Sequence, residues 1–126
     1  MHEIWKIDVE KYKCIAPDIA TDEVVITQER IDHINDRHPG DYQDIEPFLG
    51  AALKQPDYIL EDTKHKDTGL ILKRIEENGL RFQMVLKIHT SVGDPKFKNS
   101  ILSVWKISEE RWISYINNKK ILYKSE

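Results

Sequence analysis

GLILKRIEENGLRFQMVLKIHT, residues 69–90, is the stretch that decides the fold. Two runs rich in Leu, Ile, Val and Phe flank Asn78-Gly79, a dipeptide suited to the positive φ angles of a tight hairpin turn. Gly69 to Glu76 and Leu80 to Thr90 therefore read as paired antiparallel strands. The two-residue period continues outward in Tyr58 to Glu61 and in Ser100 to Ile107, so the region from Asp57 to Ile107 reads as an antiparallel meander. The polar loop SVGDPKFKN, residues 91–99, would set Lys96 and Lys98 beside the sheet's edge.

Alternation sorts these strands into two unlike faces. Leu70 and Leu72, with Phe82, Met84, Leu86 and Ile88 and then Leu102 and Val104, form a wholly apolar set, expected beneath the helices. The other set contains Lys73, Gln83, Lys87, His89, Ser103 and Trp105 among aliphatics such as Ile71, Ile75, Val85, Ile101 and Ile107. A solvated face would carry fewer aliphatics, and a buried one would not carry unpaired lysines. Two readings fit: a concave surface that meets an anionic ligand, or a polar outer face with scattered apolar residues.

Upstream, TQERIDHINDRHPG (27–40) reads as a short helix. Thr27 can cap the first turn, Glu29 suits the positive end of the helix dipole, and Pro39-Gly40 stop the element. Ile31, Ile34 and His38 fall at i, i+3 and i+7, which puts His38 on the apolar stripe, while His33 and Arg37 adjoin it four residues apart. Val24 to Ile26 offers a short strand before this helix. A second helix is expected over 41–55, with Pro47 separating a helical turn at Asp41 to Asp44 from the regular part, and Pro56 ending it. Residues 3–9 read as a strand or extended arm with Trp5 packed on the domain, and 12–22 as loop. Ser108 caps a last helix over 108–118, and KKILYKSE is expected to add a short terminal strand.

With 126 residues and 40% hydrophobic content, the chain suits one domain with its own core. No apolar run approaches the roughly 20 residues that span a bilayer, and MHEIWKIDVEK lacks the pattern of a signal peptide, so a cytoplasmic protein is expected. Cys14, the single cysteine, forms no internal disulfide and reads as a small buried or half-buried residue, with a reactive thiol as the lesser alternative. The net charge of −3 hides an asymmetry: residues 1–62 hold 6 Lys/Arg against 15 Asp/Glu, and residues 63–126 hold 13 against 7. The basic half suits a phosphate-binding surface, though an ordinary solvated surface has the same composition.

In their order along the chain, ITQERIDHINDRHPGDY, PDYILED, the Lys73 strand, KNSILSVWKI and NNKKILYKSE resemble the phage-type branch of the barnase/EndoU/colicin/RelE-like (BECR) nuclease superfamily. The resemblance spans about residues 24–125. It implies an α+β fold with N-terminal helices packed on one face of an antiparallel sheet of about four strands, followed by a C-terminal helix. Residues 1–23 would then be an N-terminal arm or strand and 24–126 the nuclease domain. The implied activity is metal-independent cleavage of RNA in a toxin, phage or mobile-element setting, with an immunity or antitoxin protein as partner and no cofactor. Carried over residue by residue, the resemblance marks His33, Arg37, His38, Lys73, Thr90, Asn99, Ser100 and Trp105.

Cleavage without a metal needs a base for the 2'-OH proton, cations for the phosphorane, and an acid for the departing 5'-oxygen. Imidazole serves both proton roles near neutrality. His33 and His38 are thus expected as base and acid in unassigned order, with Arg37, Lys73 and Lys87 on the phosphate. Thr90, Asn99 and Ser100 would orient it, and Trp105 would stack on a base. Each has a plainer alternative: His38 as a packed histidine at a helix end, His33 and His89 as surface residues, Trp105 as core, and His65 as a solvated neighbour of charges. A metal centre is disfavoured because His33 and His38 lie about 140° apart around the helix. The competing function is an inactive nuclease-like module that binds RNA or a protein through the same mixed face.

Overall fold

The computed structural model describes residues 4–91 and 97–125, which leaves Lys96 outside the described residues. The elements run β1 (Trp5–Lys6), α1 (Val9–Tyr12), β2 (Glu23–Val25), α2 (Gln28–Arg37), α3 (Asp41–Ile45), a 3-10 turn (Glu46–Phe48) and α4 (Leu49–Lys54). There follow β3 (Tyr58–Glu61), β4 (Thr68–Ile75), β5 (Leu80–Lys87), β6 (Asn99–Lys106), α5 (Glu109–Asn118) and β7 (Ile121–Lys124). The strands form one seven-stranded sheet in the order β1-β2-β6-β5-β4-β3-β7, curled into a half-barrel. All pairs are antiparallel except β2 with β6.

The fold is α+β, but the expected sheet of about four antiparallel strands with helices on one face is corrected in two respects. The meander β3 to β6 is present, yet β7 extends it at one edge and β2 with β1 at the other, making the sheet mixed. The added strands, two to four residues long, fall within segments expected as a strand or arm (3–9), a short strand (Val24 to Ile26) and a terminal strand (KKILYKSE); what the sequence did not show is that they join the meander. The helices also occupy both faces. Trp112 of α5 packs with Leu60, Leu70 and Leu72, while α2 and α4 bury Ile31, Ile34, Leu49 and Leu53 in the larger core on the opposite face.

The register of β4 on β5 settles which residues share a face. Ile71 stands opposite Met84, Lys73 opposite Phe82, Leu70 opposite Val85 and Leu72 opposite Gln83. Leu70 and Leu72 therefore do not share the helix-covered face with Phe82, Met84 and Leu86; Ile71 and Ile75 do. The expected grouping is out by one residue along β4. Both sides of β4 are apolar because both are covered, so alternation has nothing to distinguish there. A bulge follows Val85, which faces Ser103 while Leu86 faces Ile101. It turns Ile101 into the core and leaves Leu102 on the other side, again the reverse of simple alternation.

Local chemistry explains the element boundaries. Thr27 Oγ1 accepts the Arg30 N–H at 3.2 Å to start α2, and Gly40, at φ 85°, makes the turn into α3. Pro47 in the 3-10 turn divides the 41–54 segment as its missing N–H requires. In the hairpin Gly79 takes φ 69°, and Asn78 Oδ1 accepts the Leu80 N–H at 3.0 Å.

Residues before β2 are built into the same core. Trp5, Ile7 and Tyr12 are buried in the main cluster. At the C-terminus of α4, where a helix leaves carbonyls without partners, Tyr12 donates its hydroxyl to Leu53 O at 2.7 Å and Lys11 Nζ donates to Lys54 O at 2.9 Å. Burial pushes the Tyr12 hydroxyl far above the ordinary phenol range, so it stays a donor at any physiological pH. Tyr12→Phe leaves the Leu53 carbonyl buried without this partner and should lower stability by about 1 to 2 kcal/mol, measured by urea denaturation.

Candidate functional site

The site forms where β6 outruns β2. β2 pairs only with Asn99 and Ser100, so the second half of β6 has no strand on that side. α2 and α3 lie along it instead, and Asp41 Oδ2 accepts the Lys106 N–H at 2.9 Å. Ile31 and Ile34 pin α2 into the core, which leaves Arg30, His33 and Arg37 on its free flank, at i, i+3 and i+7. His38 follows directly after the last helical residue, and its ring stacks on Trp105 of β6, centroids 5.0 Å apart and planes 12° from parallel.

Together these parts enclose a cleft of about 540 Å³ on the sheet face that α5 covers only in part. Val85, Lys87, Ser103 and Trp105 rise from β5 and β6 as its floor, with Leu102 beside them. The α2 flank is one wall. His65, in the β3–β4 loop, lines the other side.

The electrostatics of this cleft are one-sided. None of its lining residues is acidic, and among the described residues Arg30, Arg37 and Lys87 have no carboxylate partner. Some cations elsewhere are paired, Lys98 with Glu23, Lys106 with Asp44 and Arg74 with Glu109, while others such as Arg111 and Lys124 have no carboxylate partner among the described residues. What sets the cleft apart is that its cations gather without a carboxylate among them. The side-chain hydrogen bond from Lys98 holds the Glu23 carboxyl below the ordinary range, and Asp44 raises the Lys106 ammonium in the same way. A cluster of unpaired cations and imidazoles around a recess is an anion-binding arrangement.

His65 is the one lining residue whose ring is held by a carboxylate: its Nδ1 lies 3.2 Å from Asp62 Oδ2. Partial burial by itself would raise the Asp62 carboxyl, but hydrogen bonds from the Lys64 N–H and from His65 outweigh it and bring the group below the ordinary range. Asp62 is therefore ionised at neutral pH.

Of the residues expected from sequence, His33, Arg37, His38, Lys87 and Trp105 come together in this cleft. Lys73 does not. It lies on the opposite face, opposite Phe82, where Nζ donates to Gln55 O at 2.8 Å and stands 3.7 Å from Asp57. It serves as the third donor at the end of α4, the natural place for a cation. Asn99 is buried and structural: Nδ2 donates to Thr21 O and Oδ1 accepts the His89 N–H, both at 2.8 Å. Ser100 faces Lys87 but opens on a smaller adjoining recess of about 160 Å³, and Thr90 lies beyond the end of β5, lining neither. Trp105 gives one ring face to His38, so its first role is to back that imidazole.

Arg30, Ser103 and His65 also line the cleft. Arg30 was missed, although it stands three residues before His33 on the same flank of α2. His65 sits in an irregular loop without periodicity, and only the Asp62-x-x-His65 spacing hints at a paired imidazole. Among the described residues no three His, Cys, Asp or Glu side chains converge as a metal site would require. No family model, no curated protein and no solved structure matches the chain.

The two lysines give a direct test of the placement. Lys87→Met should weaken binding of a short labelled oligonucleotide about threefold to tenfold and flatten its salt dependence by about 0.7 in log–log slope, read by fluorescence anisotropy. Lys73→Met should leave binding unchanged and lower stability by about 1 kcal/mol.

Proposed function

We propose that this protein is a metal-independent endoribonuclease of the BECR type, cleaving RNA by attack of a 2'-hydroxyl on the adjacent phosphodiester. The observation that carries the reading is the convergence of His33 and His38 with the unpaired Arg30, Arg37 and Lys87 in one cleft free of carboxylates. The scissile phosphate sits between the α2 flank and Lys87. Guanidinium groups offer it paired N–H donors, and their charge counters the extra negative charge of the phosphorane. Imidazoles move the protons at the 2'- and 5'-oxygens, and the products are a 2',3'-cyclic phosphate and a 5'-hydroxyl. Trp105 holds the His38 ring in place, and Ser103 presents a hydroxyl from the floor.

The substrate enters from the open half of the sheet face, where Val85 and Leu102 give the base an apolar surface between the charged walls. No helix among the described residues is long and apolar enough to cross a membrane. We place the protein in the cytoplasm, in a toxin, phage or mobile-element setting, where a neutralising protein partner would cover this cleft.

Incubation with RNA in excess EDTA should release fragments ending in 2',3'-cyclic phosphate, and a 2'-deoxy strand of the same sequence should stay intact. His38→Ala should lower the rate by about 100-fold or more. Equal rates for wild type and His38→Ala would remove the role given to this imidazole. Binding without cleavage by the wild type would make the domain an RNA-binding module.

A further inference from the structure

The three histidines around the cleft do not stand alike. His33 and His38 belong to the α2 wall, whereas His65 comes from the facing β3–β4 loop. In the attack of a 2'-oxygen on phosphorus, the entering and departing oxygens occupy opposite apices of the phosphorane. The group that takes the first proton and the group that returns one therefore approach from opposite sides. Two imidazoles on one wall meet this need less well than one on each. We propose that His65 is the general base, acting from the loop wall through Nε2, with Asp62 as its positioning residue and His38 as the acid opposite; this rests on the ribonuclease reading above.

The local geometry fits a base. Asp62, its side chain only 11% exposed, accepts the Lys64 N–H at 2.8 Å through Oδ1 and faces His65 Nδ1 at 3.2 Å through Oδ2. An ionised carboxylate can only accept, so Nδ1 carries the proton and the lone pair is left on Nε2. A buried aspartate fixes the working tautomer of its histidine in this manner in hydrolytic triads. The loop is itself anchored to the sheet: Ile88 N–H donates to Asp67 O at 2.8 Å, and Thr68 Oγ1 donates to Lys66 O at 3.0 Å. Asp67 takes φ 58°, a left-handed conformation that aspartate tolerates better than most residues. On the facing wall, the stack on Trp105 fixes the plane of the His38 ring, with centroids 5.0 Å apart.

The step balances. As the 2'-oxygen bonds to phosphorus, its proton passes to His65 Nε2. The bond from phosphorus to the 5'-oxygen breaks with its electron pair on oxygen, which takes a ring proton from the His38 imidazolium. The cyclic phosphate and 5'-hydroxyl leave, His65 is left protonated and His38 neutral, and both re-equilibrate with water.

The test uses two substrates: an RNA dinucleotide, and a nucleoside 3'-(nitrophenyl phosphate) whose phenolate departs without an acid. His65→Ala should lower kcat by about 100-fold or more on both, with KM changed less than about twofold, and added imidazole should restore part of the rate. The loss in His38→Ala should shrink to less than about tenfold on the aryl ester, because only the acid is dispensable there. Asp62→Asn, which keeps the acceptor for the Lys64 N–H, should lower kcat about tenfold or more with thermal unfolding unchanged. His65 is 64% exposed, so its replacement leaves the core intact. Should His65→Ala stay within about twofold of wild type on both substrates while His38→Ala is inactive on RNA, the inference fails and the ribonuclease reading stands. Should the wild type cleave neither substrate, that reading fails and this one with it.

Discussion

The pairing of β4 with β5 is the constraint on which the rest of this structure depends. Because Ile71 stands opposite Met84, every side chain of β4 is assigned to a face by the four-residue connection Glu76 to Gly79. That assignment sends Lys73 to the end of α4 and puts Val85 and Lys87 on the side shared with Ser103 and Trp105. A slip of one residue would exchange these roles and turn Ile71 and Ile75 away from the main core. The bulge after Val85 supplies the second half of the arrangement. It keeps Ile101 inside while Leu102 and Ser103 contribute to the open floor.

Much of the architecture was legible because local chemistry and tertiary structure agree. Thr27 as a cap, Asn78-Gly79 as a turn, Pro47 as a divider and Ser108 as the start of α5 all act within a few residues of themselves. What could not be read required knowledge of distant partners. Leu70 and Leu72 look like the same kind of residue as Met84 and Leu86, and only the presence of Trp112 above them explains a second apolar layer. The short strands near the ends of the chain were expected as elements, but that they join the meander depends on β2 meeting β6 and β7 meeting β3 across long sequence separations. The same limit applied to the site. His33, Arg37 and His38 announce themselves by helical spacing, whereas Lys73 was assigned to the site by likeness of sequence and by an alternation out by one residue along β4, and belongs to a helix end.

Charge on α2 is divided lengthwise. Arg30, His33 and Arg37 repeat at i, i+3 and i+7 on the cleft side, while Glu29, Asp32 and Asp36 repeat at the same spacing one position earlier. Only about 100° separates the two stripes around the helix, so the acidic stripe lies within reach of the cationic one through solvent, yet no close ion pair joins them among the described residues. Exposed charges at such distances are strongly screened, so the helix bears both stripes at small cost. A net charge of −3 for the whole chain is thus compatible with a strongly cationic recess, because what an anion meets first is the local field.

Holding unpaired cations together demands a rigid frame, and the frame here is made of main-chain contacts at both ends of α2. β2 runs directly into the Thr27 cap, and beyond His38 the turn through Gly40 leads to Asp41, which takes the unpaired N–H of Lys106 on β6. Ile31 and Ile34 fix the rotation of the helix about its axis. With both ends tied and one face buried, the helix keeps its solvent-exposed cationic flank turned toward the recess. The same frame holds Arg30, His33 and Arg37 side by side, so an anion that enters the recess meets all three without the helix having to rearrange. Asp41 ties the two sides of the cleft together: its N–H donates to His38 O at 3.1 Å and its carboxylate accepts the N–H of Lys106, the residue after Trp105, so the end of α2 and the edge of β6 are held as one unit.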